Sequence, residues 1–137
     1  MNKCYKNREI SWLEFNERVL EEAADRSNPL CERLSFASIF QSNLDEFFMV
    51  RVGSIHDQML ISEDMRENKT NMTCSEQLEA IMDITSRLSE KKDEVYNEIM
   101  NELAGEGVEL INFSKLSDDD ALYLKKFFKN EIKPLIS

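Results

Sequence analysis

Apolar residues recur at steps of three and four through most of the chain, and they crowd most densely around Ser42-Asn43-Leu44-Asp45-Glu46-Phe47-Phe48-Met49-Val50-Arg51-Val52. Leu44, Phe47 or Phe48, Arg51 or Val52, Ile55 and Met59 trace one helical stripe, and Met49 and Val50 widen it beyond what a surface helix needs. The pattern predicts a helix covered from several sides. Ser42, Asn43 and Asp45 stand at its head, so Ser42 or Asn43 can cap a fresh helical start and leave backbone N–H groups pointing outward.

The same reading extends along the chain. Residues 1–9 are polar and read as loosely held, after which Ser11 and Glu14 form an S-x-x-E capping box. It predicts a helix from Trp12 to Arg26, with Trp12, Phe15, Val19, Leu20, Ala23 and Ala24 inward. Asn28 caps a second helix, Pro29 to Leu60, with Leu30, Leu34, Ala37 and Phe40 as its stripe. Whether it breaks at Ser42 stays open, because the capping signal opposes the continuous stripe. Gly53 within it costs ~1 kcal/mol relative to alanine and marks a point where another helix can pack closely.

Polar residues from Ser62 to Met72 lose the period and predict a surface loop, the most mobile internal segment. Thr73 and Glu76 then form a second capping box, opening a long helix, Cys74 to Ala104, that ends at Gly105 and packs shallowly at Lys91 and Lys92. Gly107 to Phe113 reads as a strand or extended connector. Ser117 caps a last helix, Asp118 to Ile132, with Ala121, Leu124, Phe127, Phe128 and Ile132 inward and Pro134 as its stop. The fold class is therefore all-α: an up-and-down antiparallel three-helix bundle with an additional C-terminal helix.

Composition agrees, since 3 Gly and 2 Pro in 137 residues leave little punctuation for the turns of an all-β fold. Acidic residues outnumber basic ones 27 to 17, a formal net charge of −10, which opposes attraction to nucleic acid or any polyanion. Cys4, Cys31 and Cys74 are odd in number and form no metal-ligand spacing, which points to a reducing cytoplasm. No apolar run reaches membrane length, and the N-terminus lacks the apolar core of a signal peptide.

Candidate chemistry is sparse. No phosphate-binding glycine loop, nucleophile elbow, zinc-protease motif or calcium loop is present. His56 is the one histidine and reads as a partly exposed helix residue ahead of a phosphoacceptor or a ligand. Asp45 and Glu46 are adjacent and so diverge on a helix, and Asp118 to Asp120 suit an N-terminal first turn better than a Mg2+ site. The Phe47-Phe48-Met49 cluster is core at helical spacing before it is a cofactor pocket. Asn43 carries both a donor and an acceptor and can pair with an adenine edge, although an Asn near a helix start is more often a cap. These observations assign no catalytic residue and no metal ligand.

Three blocks in order, Asn7-Arg8-Glu9-Ile10-Ser11-Trp12-Leu13-Glu14-Phe15-Asn16-Glu17-Arg18-Val19-Leu20, then Glu22-Ala23-Ala24-Asp25 with Ser27-Asn28-Pro29-Leu30, then Ser42 to Val52, resemble the N-terminal domain of bacterial polyphosphate kinase. That family reversibly moves the terminal phosphate of ATP onto polyphosphate. The resemblance implies that the chain is an N-terminal fragment, inactive alone, of an enzyme using ATP and Mg2+ and a phosphohistidine in C-terminal domains. It implies a bundle domain at residues 1–106, and at 107–137 a connector and the start of the next domain. It also implies that Asn43 is the nucleotide contact, the Asn of the family's Asn-Leu-Asp-Glu-Phe motif. The implied partners are the C-terminal domains, ATP and polyphosphate, with homo-oligomerisation and a peripheral membrane location open to the parent enzyme. A purely structural, domain-docking bundle is the alternative.

Overall fold

The computed structural model describes residues 5–62 and 64–136. Helix α1 spans Arg8–Ala24 and starts earlier than the Ser11 box predicts. Asn7 is the cap: its Oδ1 accepts from the N–H groups of Glu9 and Ile10 at 2.9 and 3.2 Å, while its Nδ2 donates to Gln77 Oε1 at 2.9 Å. A cap anchored by a tertiary hydrogen bond prevails over a local box, so Ser11 is an exposed residue within the helix. For the same reason residues 7–9 are held firmly, with Asn7 and Glu9 buried.

The buried stripe of α1 is Leu13, Asn16, Leu20 and Ala23, spaced three, four and three apart. Phe15, expected inside, is exposed, and Trp12 is half-buried. Helix α2, Leu30–Phe47, begins after Pro29, and Asn28 does not cap it. Its Nδ2 instead donates to the carbonyl of Glu22 at 2.9 Å, closing the end of α1. Arg33, Ala37, Phe40, Leu44 and Phe47 face the core, whereas Ile39 is exposed.

No break occurs at Ser42. The stripe through Phe40, Leu44 and Phe47 carries α2 past it, and the irregularity comes later, as a π-helical segment at Phe48–Val52 that runs into α3, Gly53–Ile61. The extra residue of a π turn rotates the downstream side chains about the helix axis. Met49 and Val50 therefore point outward, 75% and 59% exposed, and the expectation of cover on several sides fails for this bundle. A Cβ on Gly53 would meet only the Phe48 carbonyl oxygen, at 3.8 Å, so no neighbouring helix requires the glycine.

Ser62 and the described residues 64–72 form a loop, pinned by an antiparallel bridge between Arg66 and Thr73. Helix α4, Cys74–Gly105, opens with the expected Thr73–Glu76 capping box. It closes two residues beyond its last turn, where Gly107 takes φ +82° and the N–H groups of Gly107 and Val108 donate to Ala104 and Leu103. Ile81, Leu88, Val95, Ile99 and Leu103 of α4 join α1 and α2 in one core, and α4 packs on α1, α2 and α3. The result is an all-α bundle of the up-and-down kind.

Beyond it, the segment after Gly107 forms a short 3-10 turn at Phe113–Lys115, and among the described residues there is no strand. Ser117 caps α5, Asp118–Phe127, as expected, with its hydroxyl accepting from the Asp120 N–H. The helix does not stop at Pro134: a π segment, Phe128–Ile132, leads into α6, Lys133–Ile136. A widened turn just before a proline relieves the clash of its ring with the preceding turn. The expected inner face is not packed here, since only Leu124 is half-buried while Ala121, Phe127, Phe128 and Ile132 are exposed.

Candidate functional site

The α1–α2 contact brings the sequence-predicted Asn43 to a pocket of about 260 Å³ lined by Trp12 and Phe15 from α1, Asn43, Glu46 and Phe47 from α2, and Val50 and Arg51 from the π segment. Helical spacing explains the set, because Asn43, Phe47 and Val50 follow one another by four and three. The aromatic floor is ordered: Trp12 and Phe47 stack with centroids 4.5 Å apart and planes at 6°, and Phe48 meets Phe47 edge-on at 6.1 Å. Phe15, about half exposed, is flanked by the Arg18 guanidinium at 5.9 Å.

Asn43 lies well inside α2, so it is not a helix cap. Its Nδ2 donates to Asn16 Oδ1 at 3.1 Å, and Asn16, fully buried, donates from its own Nδ2 to the carbonyl of Phe40 at 3.1 Å. Asn43 Oδ1 accepts no hydrogen bond from the described residues and is left for whatever enters the pocket. Sequence reasoning passed over Asn16. Its signal was there, in an amide set three residues after Leu13 and four before Leu20 on an apolar stripe, where a buried polar group must have partners.

Arg51 sits between this pocket and a polar cavity of about 520 Å³ that also takes in Arg8, Glu9, Arg66, Lys69 and Gln77. Its Nη1 is 3.5 Å from Glu9 Oε1, an oxygen that Arg8 holds more closely at 3.2 Å. The other chemical candidates lie apart. Asp45 is exposed and takes a hydrogen bond from Gln41 at 2.8 Å, while His56 is exposed on α3 with Nδ1 3.8 Å from Asp57. Asp118, Asp119 and Asp120 form the first turn of α5. Among the described residues no group of three or more His, Cys, Asp or Glu side chains is placed to hold a metal ion. No described helix is long and apolar enough to cross a membrane.

An indole-phenyl floor with a half-buried amide at its edge suits a flat heteroaromatic ring that carries hydrogen-bonding groups. Comparison with known proteins decides the family. The sequence profile of the polyphosphate kinase N-terminal domain matches residues 5–111. The chain belongs to that family.

Polyphosphate kinase of Halalkalibacterium halodurans is 47% identical over 134 residues, 97% of this chain and 19% of the relative. That of Staphylococcus epidermidis is 46% identical over 133 residues, 97% of this chain and 18% of the relative. The crystal structure of polyphosphate kinase from Porphyromonas gingivalis superposes with a TM-score of 0.72 at 37% identity, covering 97% of this chain and 19% of that one. The polyphosphate kinase domain seen here thus spans about a fifth of the length of the curated relatives it matches.

Proposed function

We propose that this polyphosphate kinase N-terminal domain holds the adenine of ATP, with Asn43 as the base contact, in an enzyme that reversibly passes the terminal phosphate of ATP to polyphosphate. The observation that carries the reading is the free Oδ1 of Asn43 at the edge of the pocket walled by Trp12, Phe15 and Phe47. An amide oxygen there accepts from the adenine 6-amino group, and the aromatic side chains supply apolar cover. The phosphoryl chemistry belongs to C-terminal domains of the same polypeptide, with their Mg2+ and a phosphohistidine, in a cytoplasmic enzyme. Residues 1–106 are the bundle domain in this reading, and 107–137 connect it to the next domain.

A second reading, a domain-docking bundle without a nucleotide contact, is favoured by the apolar side chains left outside the bundle, among them Leu110, Phe113 and Leu135 at about three-quarters exposure or more. ATP kinetics of a polyphosphate kinase carrying this domain separate the two. Asn43→Ala raises the KM for ATP by roughly 5- to 100-fold if the amide holds the base, the span expected for one such contact. An unchanged KM leaves the docking reading.

A further inference from the structure

The direction in which Asn43 presents its amide is fixed by chemistry alone. Phe40 O is a carbonyl and can only accept, so the group of Asn16 that faces it at 3.1 Å must be the NH2. Asn16 Oδ1 then faces Asn43, and because that oxygen also can only accept, Asn43 must turn its own NH2 inward. The chain Phe40 carbonyl, Asn16, Asn43 admits one orientation. Reversing Asn43 would set two amide oxygens 3.1 Å apart in a partly buried place, and reversing Asn16 would set one against the backbone carbonyl inside the core.

We infer that Asn16, fully buried and out of reach of any ligand, is a positioning residue that makes the pocket selective for 6-amino purines over 6-oxo purines. The inference rests on the adenine-site reading. With Asn43 locked, Oδ1 and the remaining N–H face the pocket: the oxygen accepts from an exocyclic 6-amino group, and the N–H serves the adjacent ring nitrogen. A 6-oxo purine, as in GTP or inosine triphosphate, places a carbonyl oxygen against Oδ1 and is repelled. If Asn43 were free to rotate, the amide would flip and donate to that carbonyl, and the preference would vanish. Discrimination therefore resides in a residue that touches no base.

Asn16→Leu tests this, because leucine keeps the branched shape of asparagine without its hydrogen-bonding groups, and Phe40 O lies within α2, where it accepts its helical hydrogen bond from four residues ahead. Steady-state kinetics with ATP, inosine triphosphate and GTP are compared in a polyphosphate kinase carrying this domain, as wild type, Asn16→Leu and Asn43→Ala. The wild type should prefer ATP over inosine triphosphate by about tenfold or more in kcat/KM, the size of one well-formed base contact. Asn16→Leu, folded by its melting profile, should reduce that ratio about tenfold, mostly through better use of the 6-oxo nucleotides.

The inference is overturned, with the adenine site intact, if Asn43→Ala raises the KM for ATP while Asn16→Leu keeps the wild-type ratio. It is equally overturned if the wild type uses inosine triphosphate as well as ATP, a comparison that needs no variant to fold. Asn16→Ser, smaller and still polar, repeats the ratio measurement should leucine not be accommodated. An unchanged KM for ATP in Asn43→Ala removes the adenine site itself, and the selectivity argument with it. A role of Asn16 in packing alone would lower the melting temperature without moving the nucleotide ratio.

Discussion

The indole of Trp12 and the ring of Phe47 lie face to face, 4.5 Å between centroids and 6° from parallel, and tie α1 to α2 beneath the Asn43 pocket. Phe47 is buried and Trp12 half-buried, so truncating the indole removes apolar contact with the core and also the stack. Trp12→Ala should cost about 2 to 3 kcal/mol, below the full value for a wholly buried tryptophan because part of the ring already meets water. Urea denaturation followed by circular dichroism measures it. A loss under about 0.5 kcal/mol would mean that the stack contributes no net stability.

Where the sequence was readable and where it was not depends on the range of the deciding interaction. The Thr73–Glu76 and Ser117 caps are local, and both are found. The start of α1 is not local, because Asn7 wins over Ser11 through Gln77, seventy residues away. Asn43 illustrates both limits: its chemistry is visible in the sequence, but its place inside α2 and its lock by Asn16 depend on the α1–α2 contact. The two π segments shift register without a Gly or Pro at their start, so a count of threes and fours runs straight through them.

Glu17 of α1 and Arg87 of α4 form a two-pronged pair at 2.8 and 3.2 Å, and the hydrogen bonds from Arg87 hold the Glu17 carboxyl below its ordinary value of 4.5. A carboxyl whose pKa is depressed on folding adds stability that is complete above its unfolded value and fades as pH falls through the folded one. The pair should thus stabilise the bundle at pH 7 and lose its effect progressively below about 4.5. Because Arg87 is largely exposed, a double-mutant cycle with Glu17→Gln and Arg87→Met should give about 0.5 kcal/mol at pH 7 and low salt. Coupling that persists unchanged at pH 3 would exclude the ion pair as its source.

Arg33 is a buried cation in the core stripe of α2. Its Nε donates to the carbonyl of Ala23 at 2.8 Å, at the C-terminal end of α1 where helical partners run out, and Nη1 pairs with Glu102 at 3.2 Å. Arg33→Ala removes the partner of that carbonyl and leaves a void where the stem was packed, so about 2 to 4 kcal/mol should be lost. Arg33→Met restores the stem volume and should recover part of it. Equal losses in the two variants would place the whole effect in the hydrogen bonds and none in packing.

The 137-residue chain alone should not acquire phosphate from ATP. Its one histidine, His56, stands exposed on α3 beside Asp57, away from the pocket that holds Asn43, and no described carboxylate cluster can bring Mg2+ to it. Phosphoryl transfer needs a nucleophile in line with the γ-phosphate and cations that neutralise the charge spread over its oxygens. The cation that lines the Asn43 pocket is Arg51, which already faces Glu9, and the chain as a whole carries ten net negative charges that repel a polyphosphate. One base contact with little phosphate grip also leaves most of the association cost uncompensated, so ATP binding to the isolated chain should be weak as well. Incubation with γ-labelled ATP and Mg2+ followed by alkaline gel electrophoresis should show an unlabelled band. Acid-labile label that disappears in His56→Ala would instead make His56 a phosphoacceptor and move the transfer chemistry into this domain.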